Sequence, residues 1–245
     1  MRYRSLIICA TPRSGTTLLC DLLAETGAAG RPNSFFRRES RDNWMRRLDV
    51  APGPDFDRRF LDAIIAEGTG DTGLFSMRIM WPSLPEMTST LAGLFPAEAT
   101  DAGRIAAAFG TPLYVFVGRR DKIAQAISRI KAEQSGLWHR AADGSVREQG
   151  GEYRAPEYDR AAIEASIAET TAHEANWRHW FADEGIAPLD LAYEDLSADP
   201  AAAIRKLLSA LGRDPGAADQ LVPRTSKLAD AQSRDWAERY TREAV

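Results

Sequence analysis

Residues 6–26, LIICATPRSGTTLLCDLLAET, constrain the fold of this chain more than any other stretch. The stretch opens with four apolar residues and reaches Ala10, which predicts a buried β-strand. Turn-forming residues 11–15 follow, and a helical apolar pattern begins at Thr16 and stops before Gly27, a residue type that often ends helices. Strand, tight loop and helix in this order place backbone N–H groups around one anion. The sequence therefore predicts a loop that binds a phosphate or a similar anion.

The side chains of this loop fit the same chemistry. Gly15 allows close approach of the backbone, and Arg13 supplies a guanidinium group. Hydroxyl donors come from Ser14, Thr16 and Thr17. The loop lacks the first glycine and the Gly-Lys pair of the GxxxxGK[ST] loop, which disfavours a P-loop kinase. Magnesium-dependent ATP turnover would revive that alternative, and an ordinary strand-to-helix turn without a ligand is another.

Composition limits the partners and the compartment. The chain has 245 residues and a net charge of −4, which argues against general nucleic-acid binding through a positive field. Its two cysteines lie in apolar stretches and provide no disulfide framework, which fits a reducing compartment. No stretch approaches the ~20 apolar residues of a transmembrane helix. We therefore expect one cytoplasmic domain, 1–245, without a transmembrane segment.

Strand and helix patterns alternate along the rest of the chain. Apolar runs predict strands at 74–80, 112–118 and 187–193, and residues 136–158 predict a long loop. Helical patterns occur at 39–48, 55–66, 83–94, 101–109, 122–134, 159–184 and 200–211, and around Trp236 and Tyr240. This alternation predicts an α/β fold of the P-loop type, a mostly parallel sheet with helices on both faces. Ligands of such sheets bind beyond the carboxyl ends of the strands, where residues 11–17, Trp81 and Arg119 should meet.

The loop sequence TPRSGTT resembles the 5′-phosphosulfate loop of sulfotransferases, which bind 3′-phosphoadenosine 5′-phosphosulfate (PAPS) with [K/R]-[S/T]-G-T-T after the first strand. The whole chain resembles the bacterial trehalose sulfotransferase family, which transfers a sulfonate from PAPS to an α-glucoside hydroxyl. The matching stretches are TPRSGTTLLCDLLAETGAAGRP (11–32), RIMW (78–81), RRDKIAQAISRIKAEQSGLW (119–138), NWRHWFADEGIAPLDLAYEDL (176–196) and SRDWAERY (233–240). They span nearly the full length in the order of the family.

This resemblance implies how the donor binds. Residues 13–17 would hold the 5′-phosphosulfate of PAPS. The 3′-phosphate needs a basic group after a middle strand and a hydroxyl on the next helix, and Ser128 supplies the hydroxyl. Arg120 has the spacing from Ser128 seen in cytosolic sulfotransferases, whereas Arg119 matches the trehalose family better. A solvated Arg-Arg turn is the alternative, and Lys227 lies in a tail segment that resembles the part closing over the nucleotide.

One position departs from the trehalose family. Its members place a glutamate, proposed to deprotonate the acceptor hydroxyl, in a GxPxEFF-like stretch, and this chain reads GRPNSFF with Ser34 at that position. A serine is no unassisted general base near neutral pH, so His139 and Glu39 become the candidates for the base. Arg31 in the same turn suggests a different acceptor, one that carries a negative charge. The absent glutamate also supports a second hypothesis, a non-catalytic protein that binds PAPS or another nucleotide.

The remaining expectations concern the reaction and the acceptor. Transfer of a sulfonate relies on positioning and charge stabilisation, so no metal is expected. Arg13 would stabilise the leaving 5′-phosphate, and Arg78 would neutralise the sulfonate oxygens or form a structural ion pair. A carbohydrate or glycolipid acceptor would contact helical insertions near 31–70, and a separate long loop lies near 136–158. Aromatic rings available for stacking on a sugar, or for packing in the core, are Phe35, Phe36, Trp44, Trp81 and Trp138. The sequence does not determine the oligomeric state, and a homodimer is one alternative.

Overall fold

The computed structural model describes residues 3–140, 146–149, 153–219, 221 and 230–243, except for the side chains of 139, 140 and 146–149. Four parallel strands form the main sheet in the order β2-β1-β3-β6: β1 (Ser5–Ala10), β2 (Phe75–Met80), β3 (Pro112–Gly118) and β6 (Leu189–Ala192). A separate antiparallel pair consists of β4 (Leu137–Arg140) and β5 (Val146–Gln149). The predicted loop at 136–158 thus contains regular structure.

Helices connect the strands of the main sheet and follow the last of them. They are α1 (Thr16–Glu25), α2 (Arg41–Arg47), α3 (Phe56–Thr69), α4 (Leu84–Leu94), α5 (Asp101–Phe109), α6 (Lys122–Ser135), α7 (Arg160–Asp183), α8 (Tyr193–Ala198), α9 (Pro200–Ala210) and α10 (Ala231–Arg242). Short 3₁₀ helices lie at Arg38–Ser40, Trp81–Ser83 and Pro215–Ala218. The predicted α/β fold with a parallel sheet is confirmed. In the described part of the chain, no helix has the length and apolar character needed to cross a membrane.

Every residue of β1 is buried, because helices cover both faces of the sheet. Ile7 and Cys9 face one core with side chains of α3, α4, α5 and α7, whereas Leu6 and Ile8 face another with side chains of α1 and α9. Alternate residues of a strand point to opposite faces, so a strand that is covered on both faces is mostly apolar. This explains why the first apolar run of the sequence has no polar interruption. β1 is therefore the central support of the loop that follows it.

The long helix α7 reaches from the aromatic core to the end of β1. Trp177 is fully buried, and its Nε1 donates a hydrogen bond to the carbonyl oxygen of Ala10 at 3.0 Å. Glu174, which interrupts the apolar stripe of α7, forms an ion pair with Lys122 at the start of α6, with 2.6 Å between Nζ and Oε1. Both contacts bind α7 to segments that leave the carboxyl edge of the sheet.

Candidate active site

A cavity of about 1060 Å³ lies at the carboxyl edge of the parallel sheet. Parallel strands end at the same edge, so residues that are distant in sequence meet there. The lining includes eight of the predicted donor-site and catalytic residues: Arg13, Gly15, Thr16, Thr17, Glu39, Arg78, Arg119 and Ser128. The chain therefore gathers most of its predicted site in one place.

Side chains hold the backbone of the loop between β1 and α1. Besides the bond from Trp177 to Ala10, the carbonyl of Thr11 accepts from Ser14 Oγ at 2.8 Å. The carbonyl of Pro12 accepts from Gln125 Nε2 at 2.7 Å. The next carbonyl, of residue 13, accepts from the side chain of residue 119 at 3.3 Å. Four successive carbonyl groups are thus engaged by protein donors, which fixes the course of the loop.

Two residues of the loop have left-handed backbone conformations. The φ angle is 64° at Arg13 and 77° at Gly15. A non-glycine residue at positive φ is uncommon, and such residues cluster at functional sites. Left-handed residues also occur in loops whose successive N–H groups form an anion-binding concavity. The backbone therefore supports the predicted anion site as strongly as the side chains do.

Glycine is required at position 15 for a second reason. A Cβ atom placed on Gly15 would lie 2.5 Å from Cδ2 of Tyr193, far closer than two carbon atoms can approach. The Tyr193 ring in turn lies under the guanidinium group of Arg119, with 4.5 Å from Cζ to the ring centroid. One aromatic ring therefore contacts both the loop and the basic residue after β3.

Arg78 approaches the loop from the neighbouring strand β2. Its Nη1 donates to Thr17 Oγ1 at 3.1 Å and to Thr16 Oγ1 at 3.3 Å, and its Nε donates to Ser34 Oγ at 2.9 Å. Ser34 reaches this position because the preceding residue, Asn33, pairs in parallel with β2. Among the described residues, the side-chain partners of Arg78 are hydroxyl groups and not carboxylates. The alternative prediction, that Arg78 forms a structural ion pair, is therefore not supported. A half-buried cation beside the loop is well placed to hold an anion.

The second predicted anion site shares its groups with the first. The Nε of Arg13 donates to Ser128 Oγ at 3.0 Å, and its Nη1 donates to the carbonyl of Trp138 at 2.7 Å. Arg119 Nη1 donates to the carbonyl of Arg13, and Arg119 Nε is buried with no hydrogen-bond partner in the described part of the chain. Burial lowers the pKa of Arg119 from its ordinary value. Arg13 therefore connects the loop with the Ser128 site, and Arg78 is the cation beside the threonine hydroxyls.

Arg120 points away from this cavity. Its Nη1 and Nη2 donate to Asp195 Oδ1 and Oδ2 at 2.8 and 2.7 Å, and both side chains are largely exposed. The structure therefore favours Arg119 over Arg120 at the second anion site.

Residues 5–243 match the family model described as Stf0 sulphotransferase. The chain belongs to this family. A trehalose 2-sulfotransferase of Mycobacterium tuberculosis is 31% identical over an aligned length of 271 residues, and the alignment covers 98% of this chain and 96% of the relative. A trehalose 2-sulfotransferase of Mycolicibacterium smegmatis is 30% identical over an aligned length of 262 residues, and the alignment covers 97% of this chain and 94% of that relative. The predicted family is confirmed, the chain is a sulfotransferase, and the kinase alternative is set aside.

Three of the predicted acceptor residues do not line the cavity of this Stf0 sulphotransferase. Arg31 forms an exposed ion pair with Asp71, with 3.4 Å between Nη2 and Oδ2. Phe35 is fully buried in the core. Trp81 packs edge to face on Trp177, with 5.2 Å between ring centroids. Two of the rings that could have stacked on a sugar therefore pack in or against the core. Arg31 pairs with Asp71 outside the cavity, so its position gives no support to a charged acceptor.

The other predicted residues have mixed outcomes in this Stf0 sulphotransferase. Ser34 and Phe36 line the cavity. Ser14 is fully buried and donates to Thr11 of its own loop, so its hydroxyl supports the loop instead of lining the cavity. His139 lies in β4, but its side chain is outside the described part, and Lys227 is outside the described residues altogether.

Some residues that shape the site were missed in the sequence. Gln125 and Trp177 hold carbonyl groups of the loop from α6 and α7. Tyr193 contacts Gly15 and Arg119, and Glu194 contacts the turn after β3. Tyr193 is the last residue of a predicted strand and Glu194 is the next, and this position was the available signal. Within the described residues, no group of three or more His, Cys, Asp or Glu side chains could hold a metal ion.

Proposed function

We propose that this sulfotransferase moves a sulfonate from PAPS to a hydroxyl group of a carbohydrate. The observation that carries the proposal is the pair of cationic sites in one cavity, Arg78 beside Thr16 and Thr17, and Arg119 near Ser128. PAPS carries two separate anionic groups, the 5′-phosphosulfate and the 3′-phosphate, and two separate sites fit such a ligand. The two relatives named trehalose 2-sulfotransferase support a sugar as the acceptor.

The donor would lie across the loop. Residues 13–17 and the N-terminus of α1 would bind the 5′-phosphosulfate, since backbone N–H groups and a helix N-terminus favour an anion there. Arg119 and Ser128 would bind the 3′-phosphate. Arg13, which already donates to Ser128, would lie between the two anionic groups of the nucleotide.

The chemical step needs positioned charges around the transferred group. The acceptor oxygen forms a bond to sulfur while the bond between sulfur and the bridging oxygen of the 5′-phosphate breaks. Negative charge develops on that leaving oxygen, where Arg13 and the loop N–H groups stabilise it. Arg78 binds the sulfonate oxygens from the side of Thr16 and Thr17. The products are a sulfate ester and 3′-phosphoadenosine 5′-phosphate (PAP), and the hydroxyl proton passes to a general base.

Glu39 supplies this base in the proposal. Its carboxylate lines the cavity, has Arg37 as an ion-pair partner at 3.2 Å, and is 71% exposed. Ser34, in contrast, accepts a hydrogen bond from Arg78. We expect Glu39→Gln to lower kcat about 10²-fold with unchanged PAP affinity, because only proton removal is lost. Initial rates and PAP titration measure the two effects, and an unchanged kcat would assign the base to another residue such as His139.

Two measurements on the purified protein test the function. Calorimetric titration should give a Kd for PAP in the micromolar range or below. Arg13→Ala, Ser128→Ala and Arg119→Ala should each weaken binding about tenfold, as expected for lost hydrogen bonds to a charged group. Arg120→Ala is the matched control and should bind PAP as the wild type does, since Arg120 pairs with Asp195 outside the cavity.

The second measurement is transfer of label from sulfur-35 PAPS to a panel of free sugars and glycolipids. A labelled sugar sulfate is the expected product, with trehalose as the reference acceptor. Binding of PAP without transfer to any member of the panel would favour a non-catalytic nucleotide-binding protein. Absence of PAP binding in the wild type would contradict the proposal as a whole.

A further inference from the structure

Tyr193, Glu194 and Asp195 lie against the turn that carries Arg119. β3 and β6 are parallel neighbours, and Gly118 pairs in register with Ala192. Both chains therefore leave the sheet at the same level, and the start of α8 meets the residues that follow β3. The three side chains contact three different parts of that turn.

Glu194 holds the backbone of the turn. Its Oε1 and Oε2 accept from the N–H of Arg120 at 3.0 and 3.1 Å, and Oε1 also accepts from the N–H of Asp121 at 3.2 Å. Burial raises the pKa of Glu194, but these backbone donors and nearby Arg119 outweigh it and keep the pKa below its ordinary value. The carboxylate is therefore ionised at neutral pH, and charge strengthens each of the backbone hydrogen bonds.

The neighbouring contacts complete the support of Arg119. The carbonyl of Arg119 accepts from Lys122 Nζ, which is itself fixed by Glu174. The Tyr193 ring lies under the Arg119 guanidinium group. The turn thus has its carbonyl and its following N–H groups engaged by side chains, so the Arg119 guanidinium is held in place before any ligand arrives. Such preorganisation lowers the entropy cost of binding.

We propose that Glu194 is a positioning residue that gives the Arg119 site its preference for nucleotides with a 3′-phosphate. The inference rests on the proposed function, because it takes PAP and PAPS as the ligands of the cavity. Glu194 acts through the backbone of the turn and not by touching the nucleotide. Its loss should therefore weaken the contact with the 3′-phosphate, whereas the loop that binds the 5′-phosphate keeps its hydrogen bonds from Trp177, Ser14 and Gln125.

The test compares PAP with adenosine 5′-phosphate, which has the same nucleoside and 5′-phosphate but no 3′-phosphate. In the full-length protein, Glu194→Ala should weaken PAP binding about tenfold or more and change the Kd of adenosine 5′-phosphate by less than about twofold. Glu194→Gln should lose less, because its amide oxygen still accepts one N–H. The selectivity ratio of the two ligands, measured by calorimetry, is the readout that a general loss of stability would not move.

Asp195→Asn provides the matched control. It removes the ion pair with Arg120 but leaves the carboxylate of Glu194, so both affinities should stay as in the wild type. An unchanged selectivity ratio in Glu194→Ala, an equal loss for both ligands, or the same loss in Asp195→Asn would overturn the inference alone. Failure of the wild type to bind PAP would overturn the proposed function and this inference with it.

Discussion

Replacing Gly15 by alanine is expected to weaken PAP binding about 100-fold, a loss of the size that a small misplacement within a site can cause. The added Cβ would lie 2.5 Å from Cδ2 of Tyr193, and the φ of 77° is unfavourable for alanine. Relief of the contact must move either the loop or the Tyr193 ring. The ring supports Arg119, so both predicted anion sites would be disturbed by one methyl group. Calorimetric titration with PAP measures the effect.

Gly27→Ala separates the steric effect from backbone strain. Gly15 precedes helix α1 and Gly27 follows it. Gly27 has a φ of 62°, and no atom lies within 4 Å of the position of an added Cβ. It should cost about 1 kcal/mol of stability and leave PAP affinity unchanged. Wild-type affinity in Gly15→Ala, with a normal unfolding transition, would show that the loop backbone does not contact the nucleotide.

The main sheet could be predicted because each strand leaves a strong local signal. β3 and α5 occupy the predicted residues, since an uninterrupted apolar run and an amphipathic pattern over nine residues are specified by their own sequences. β4 and α8 were not predicted. Their sequences, LWHR and YEDLSA, contain neither an apolar run nor a helical repeat, so their formation depends on tertiary partners.

The site residues could be predicted where they lie near or beyond the carboxyl end of a strand, but their partners could not. Arg13, Arg78 and Arg119 meet because parallel strands end at one edge. Their neighbours are chosen by contacts between distant parts of the chain, which no local pattern encodes. Gln125 reaches Pro12 across 113 residues, and Trp177 reaches Ala10 across 167. The same limit explains why the sequence left Phe35 open between stacking on a sugar and packing in the core, where the structure places it.

Arg78→Ala is expected to lower kcat for sulfonate transfer about 10²–10³-fold, the loss typical of removing one group that stabilises a transition state. Its guanidinium lies 3.1 Å from Thr17 Oγ1 and has only hydroxyl partners among the described side chains, so its charge is available to the sulfonate. PAP lacks the sulfonate, so its affinity should stay within about threefold of the wild type. Steady-state kinetics with PAPS and calorimetry with PAP give the two quantities.

Two further variants show how Arg78 acts. Arg78→Lys keeps the charge but not the fork that reaches both Ser34 and the threonine hydroxyls, so an intermediate kcat is expected. Ser34→Ala removes one acceptor and leaves the charge and the contacts to Thr16 and Thr17, so its loss should be the smallest. If PAP affinity instead fell in proportion to kcat, Arg78 would bind the 5′-phosphate that PAP and PAPS share. A loss confined to kcat would place it at the group that only PAPS carries.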